Sequence, residues 1–183
     1  MSRSSGKSTQ VALGGLAAAL SLLLMFLTGM IPFGDYALPA FAGVVLLANV
    51  VENGRKTALM VYVAVSLLAL FVVPSKEAAL LFVFFFGYYP ILQTLLDKIS
   101  VKILRMALKL VIFNTAVIAA YWIIINLMGV ADILDEFGPF GQYSALALLV
   151  FGNIFFVVYD NMVANLYAAY IHWFRPRFLR RAG

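Results

Sequence analysis

Between Lys7 and Asp35 the chain carries no Asp, Glu, Lys or Arg, and most of that interval, "VALGGLAAALSLLLMFLTGMI" (11–31), is apolar. Wound as a helix rising ~1.5 Å per residue, such a stretch crosses the ~30 Å hydrocarbon core of a bilayer. Lipid offers the backbone no hydrogen-bond partner, so the chain must satisfy its own N–H and C=O groups; repeated runs of this length do so as helices. The expected fold class is all-α: a polytopic membrane protein built as one helix bundle. Composition agrees, since a soluble domain carries ~25% charged residues and this chain carries 11%, with a mean hydropathy of +1.01.

Apolar runs long enough to span, or nearly so, lie at about 10–31, 37–51, 57–73, 77–96, 108–128 and 145–170, which predicts a single six-span domain over 1–183. "ENGRK" (52–56) is expected to turn the chain between the short second and third spans. "PSKE" (74–77) separates the third from the fourth, and "DKISVKILRMALK" (97–109) reads as a basic amphipathic connector. The Gly- and Pro-punctuated segment 129–144 reads as an acidic outer loop and a candidate lid.

Placing the N-terminus inside puts Arg3, Lys7, Arg55, Lys56, Lys98, Lys102, Arg105, Lys109, Arg175, Arg177, Arg180 and Arg181 on the cytoplasmic side and leaves Lys76 outside. Basic residues concentrate in cytoplasmic loops, so both termini are expected in the cytoplasm, the protein crossing the plasma membrane several times. The same rule accounts for the net charge of +5 without a nucleic-acid partner. The tail "RPRFLRR" and the basic connector suit anionic membrane lipids.

The first span opens with very small side chains. A cleaved signal peptide would place its small-residue motif after the apolar core, whereas "AAA" (17–19) precedes it. Gly14, Gly15, Ala18 and Ala19 repeat at a spacing of four, and at 100° per residue they share one broad face. Small residues so spaced let two helices approach closely in lipid. The face therefore suits either internal packing or an external partner.

Polar groups within the spans are costly in hydrocarbon and are expected to turn inward. The fifth run carries Asn114, Thr115, Tyr121, Trp122 and Asn126, and the sixth Asn153, Asp160, Asn161 and Asn165. Counting ~1.5 Å per residue from the outer ends brings Lys109 and Asp160 to one depth, about 24–27 Å down. That predicts a structural ion pair. In "FFFGYYPIL", Pro90 offers no N–H to the Phe86 carbonyl and is expected to kink the fourth helix beside Tyr88 and Tyr89. In "PFGDYALPA" (32–40), Asp35 is expected at the start of the second helix with Pro39 in its first turn.

No arrangement for catalysis is visible. The chain has no cysteine and a single histidine, His172. Metal centres, resident cofactors and nucleophilic chemistry are not expected, and the chain reads as a non-enzyme.

Taken together, the layout resembles the substrate-binding S components of energy-coupling factor (ECF) transporters. The likeness rests on six spans with both termini inside, the small-residue repeat in the first, and the turns "DYALPAFAG" and "ENGRKTAL" around the second. It implies that Gly14/Ala18 and Gly15/Ala19, with glycine leading where the family has Ala-xxx-Ala, dock on a T subunit coupled to two ATPases. It also implies that a vitamin or similar micronutrient binds in the outer half. Among the residues of this chain that implicates Asp35, Tyr88, Tyr89, Tyr121, Trp122, Asn126 and Asn153, aromatic rings stacking and the others hydrogen-bonding. Two other readings stand beside it: a non-transport scaffold similar to the cell-wall protein MreD, and a secondary transporter relying on Asp160.

Overall fold

A computed structural model describes residues 7–31, 34–128 and 143–173; the loop 129–142 and the basic tail beyond 173 lie outside the described residues. All the regular structure within them is helical. Helix α1 runs Lys7–Phe26 and ends in a tight turn, Leu27–Met30; α2 runs Gly34–Val72, α3 Lys76–Leu81, α4 Tyr89–Leu96, α5 Lys102–Met128 and α6 Ser144–Ala169. Five helical stretches are long and apolar enough to cross a membrane: Ser8–Met30, Gly34–Val72, Lys76–Leu96, Lys102–Asn126 and Leu146–Trp173.

The stretches expected as second and third spans are two helical arms of α2 that meet directly at Gly54. "ENGRK" is helical except at Gly54, whose φ of 82° and ψ of 167° break the coil. This combination is open essentially to glycine alone. One residue suffices to fold the element back. A Cβ placed on Gly14 of α1 would lie 3.2 Å from the Val61 side chain and 3.9 Å from that of Asn49. Twelve residues of straight helix would hold those positions ~18 Å apart. Both arms, 34–53 and 55–72, therefore flank α1. Asn53 Nδ2 donates to the Gln10 carbonyl (3.2 Å), and further along Ser21 Oγ donates to the Ala42 carbonyl (3.0 Å).

Within the connector 97–109, α5 already begins at Lys102. Two expectations are corrected by how backbone groups are satisfied. Pro39 sits in the second turn of α2 rather than the first, since the helix already starts at Gly34 with Asp35 in its first turn. Pro90 does not kink a continuous helix. It occupies the first turn of α4, where a missing N–H costs nothing, and the irregularity lies before it, as a π-helical segment at Phe82–Phe86. There the Gly87 N–H bonds the Phe82 carbonyl at 2.8 Å. The Val83 carbonyl, freed of its usual partner, accepts from the Tyr62 hydroxyl at 2.6 Å.

That widened segment brings the aromatic core together. Phe85 packs on Tyr89 (centroids 4.6 Å apart), Phe113 (5.1 Å) and Phe156 (5.8 Å), and Phe113 stacks on Phe156 at 4.8 Å. Gly43 of α2 passes so close to the Phe86 carbonyl that a Cβ there would overlap the oxygen. Apolar side chains cover the outside: Phe71, Ile103, Val111 and Val158 are all largely exposed. In lipid such surface is solvated, and helices cohere instead through close packing and interhelical hydrogen bonds.

The bundle has two distinct ends. Gln10, Asn53, Arg55, Thr94 and Asp97 gather at one, where Arg55 Nε donates to Thr94 Oγ1 at 2.8 Å. Gly29 meets Pro74 at the other, where Tyr121 reaches Glu77 and Tyr36. Lys56, Lys98 and Lys102 belong to the first end and Lys76 to the second.

Candidate functional site: an aromatic cavity above a buried polar network

The residues of α5 that face inward repeat every four positions, Phe113, Val117 and Tyr121, and line one wall of a cavity of about 360 Å³. Opposite them, α6 contributes Phe151 and Phe155 around Gly152, where an added Cβ would meet the Phe113 ring at 3.5 Å. Leu81, Phe85 and Phe86 form the inner wall, and Tyr36 and Ala37 from the first turn of α2 complete it. The volume lies within the usual range for small-molecule sites, as does the predominance of ring surface.

Polar groups sit at one end of the space. Tyr121 donates its hydroxyl proton to Glu77 Oε1 at 2.7 Å, and the Tyr36 hydroxyl lies 3.5 Å from that of Tyr121. One residue earlier than Tyr36, Asp35 has a buried Oδ1 with no hydrogen-bond partner. Lys76, beside Glu77 in the chain, turns its ammonium to the carbonyls of Leu70 (3.0 Å) and Val73 (3.1 Å).

A reciprocal amide pair ties α5 to α6 at mid-bundle. Asn114 and Asn153 each donate to the other's Oδ1 at 2.9 Å, and each gives its second N–H to its own helix, at the Leu110 and Leu149 carbonyls. Every amide group of the pair is thereby satisfied.

Nearer the basic end lies a denser network. Asp160 Oδ1 accepts from Tyr89 (2.5 Å), Gln93 Nε2 (2.7 Å) and Lys109 Nζ (2.7 Å), while Oδ2 takes a second bond from Lys109 at 3.0 Å. Lys109 also contacts Asp97 Oδ1 at 2.8 Å. The side chains of Lys109 and Asp160 are 4% and 9% exposed, so the ion pair is dry on both partners and rests on α4, α5 and α6 together. Buried charges persist where pairing and additional hydrogen bonds compensate their desolvation, as here.

The residues singled out from the sequence thus separate into distinct environments. Tyr121 lines the cavity. Tyr89 belongs to the Asp160 network, and Tyr88 packs on Tyr62 and Phe85. Trp122 is exposed, as is Asn126, which donates to the Trp122 carbonyl one turn back; Asn161 does the same to Val157. These two amides therefore did not need to turn inward, because the preceding helical turn supplies an acceptor. On α1, Gly14 and Ala18 face the bundle, whereas a Cβ added to Gly15 would meet nothing within 4 Å, and Ala19 is exposed.

Sequence reasoning passed over Tyr36, Glu77 and the ring set Phe85, Phe113, Phe151 and Phe155. A signal was present, since Phe113/Val117/Tyr121 and Phe151/Phe155 each repeat at the helical spacing of four. Among the described residues no group of His, Asp and Glu is arranged to hold a metal ion. Comparisons with protein-family models, curated proteins and solved structures find no match to this chain.

Proposed function

We propose that this chain is a six-span membrane subunit that captures a small molecule from outside and docks on a transporter partner, in the manner of an ECF S component. The observation that carries the reading is the aromatic cavity of about 360 Å³ at the end of the bundle opposite the basic cluster. With positive residues facing the cytoplasm, that cavity lies in the outer half of the membrane and both termini lie inside. The protein binds and presents its ligand without chemically changing it.

The docking face is the exposed half of the small-residue repeat, Gly15 and Ala19. Gly14 and Ala18 serve internal packing instead, because successive residues are turned ~100° around the helix axis. Gly15 has open space beyond it, so a larger side chain there is accommodated by the isolated subunit but obstructs close helix–helix contact. The partner is then a T-type membrane subunit carrying two ATPases.

Affinity isolation from native membranes tests this. Wild type recovers the T subunit and both ATPases, and Gly15→Leu/Ala19→Leu, folded by its melting curve, loses them. Equal recovery by the two proteins refutes docking through this face, and recovery of cell-wall assembly proteins moves the assignment to a scaffold.

A further inference from the structure

Among the described residues that line the cavity, none carries a charge, and only Tyr36 and Tyr121 carry a polar side-chain atom. Those two hydroxyls are drawn to protein partners: Tyr121 donates to Glu77 Oε1 at 2.7 Å, and the Tyr36 oxygen lies 3.5 Å from that of Tyr121. Neither Glu77 nor Asp35 is a lining residue. Toward the other end, Asn114 and Asn153 adjoin the lining residues Phe113 and Gly152 in the chain. They spend their amides on each other and on the Leu110 and Leu149 carbonyls. Both polar clusters are thus bonded within the protein. An ion brought into such a space loses its hydration and finds no opposite charge. An amide or hydroxyl brought in without a hydrogen bond loses as well, by a smaller amount.

Size restricts the occupant further. Phe113 and Tyr121 stand ~12 Å apart along α5. A volume of about 360 Å³ has room for roughly a dozen non-hydrogen atoms, each given the ~30 Å³ of one water. The acyl chain of a membrane lipid is longer than that and ends in a polar head. A compact ring system matches the length, the volume and the ring-lined walls. Resting on the reading of this chain as a ligand-binding subunit, we propose that its ligand is an uncharged, hydrocarbon-like ring compound of this size. It packs among Phe85, Phe113, Phe151 and Phe155 and is selected by shape and by exclusion. An acid or an amine of the same outline is rejected for the hydration it would forfeit.

Three radiolabelled probes share a naphthalene ring substituted at the β carbon and differ in charge near neutral pH: ethylnaphthalene, naphthylethylamine and naphthylacetate. Each is equilibrated by dialysis with the full chain in lipid nanodiscs. Because ethylnaphthalene also dissolves in lipid, retention is read as the excess over nanodiscs holding Val117→Trp, which fills the cavity from α5. Leu148→Trp fills it from α6 and serves as a second blocked form, each variant being checked for folding by its melting curve. Displacement of the label by unlabelled ethylnaphthalene separates site from solvent lipid without any variant. Wild type should retain ethylnaphthalene saturably above the blocked forms. Neither charged probe should exceed its blocked control at concentrations about a hundredfold higher.

Saturable retention of either charged probe within that range overturns the proposal. So does ethylnaphthalene that no unlabelled excess displaces, or that wild type and the folded blocked forms retain alike. A membrane acyl chain lodged in the cavity gives this second result and is counted against the proposal. Failure here with partner recovery intact discards the ligand class and keeps the transporter reading; retention as described without partner recovery keeps the apolar site and discards the partner.

Discussion

At the scale of single residues, Lys109 holds the most exacting position. Its ammonium is bonded to Asp160 and also contacts Asp97, with 4% of its side chain exposed. Lys109→Met would leave the Asp160 carboxylate buried with only Tyr89 and Gln93 as donors. Removing one partner of a buried pair costs ~3–5 kcal/mol, and the variant should melt well below wild type in detergent. Lys109→Met/Asp160→Asn should recover part of that loss, because the amide oxygen still accepts from Tyr89 and Gln93 without a charge. Equal melting of wild type and Lys109→Met would show that the pair contributes nothing. Counting residues along two helices is enough to bring Lys109 and Asp160 to one depth. It could not anticipate Tyr89, Gln93 or Asp97, because their approach depends on the π-helical segment that re-aims α4.

At the scale of elements, glycines decide where the helices turn and touch, and they do so for different reasons. Gly54 is required by its backbone angles alone, since no atom lies within 4 Å of an added Cβ. Gly54→Ala should cost ~1–3 kcal/mol as backbone strain. At Gly15 the same substitution meets neither strain nor a neighbour, and the higher helix propensity of alanine should raise stability by up to ~1 kcal/mol. Parallel thermal unfolding of the two variants checks both signs; a neutral Gly54→Ala would mean that the chain turns there in some other way. A turn between 51 and 57 is legible from "ENGRK", but its compression into one residue is not. Sequence shows that glycine permits a positive φ, whereas the packing of both arms on α1 is what demands one.

At the scale of the whole molecule, the reversal at Gly54 governs the number of crossings. If each arm of α2 crosses the membrane, Met30 and Pro74 lie on the same side and Lys56 on the other. The chain contains no cysteine, so single-cysteine variants report without background. With an impermeant maleimide on intact cells, Met30→Cys and Pro74→Cys should label, and Lys56→Cys should label only after permeabilisation. Labelling of Met30→Cys and Pro74→Cys from opposite sides would mean that α2 crosses once. Apolar runs and charge placement are readable at this scale because lipid imposes length and sidedness on any chain. The cavity was far less readable: its walls are ordinary apolar residues of α2, α3, the π-helical segment, α5 and α6, and only the fold brings them around one space.

Mechanically, the clasp between Asn114 and Asn153 makes the segments of α5 and α6 beyond it a pair of cantilevers. Below that fulcrum the two helices are bolted together through Lys109 and Asp160. At the clasp and above it they supply two walls of the cavity, from Phe113 to Tyr121 and from Phe155 to Leu148. Any bending that parts α5 from α6 is opposed at two levels by side-chain bonds and, beyond the asparagines, by none of those bonds. The ion pair and the Tyr121 end of the cavity thus occupy different stretches of the same two helices, twelve residues apart along α5.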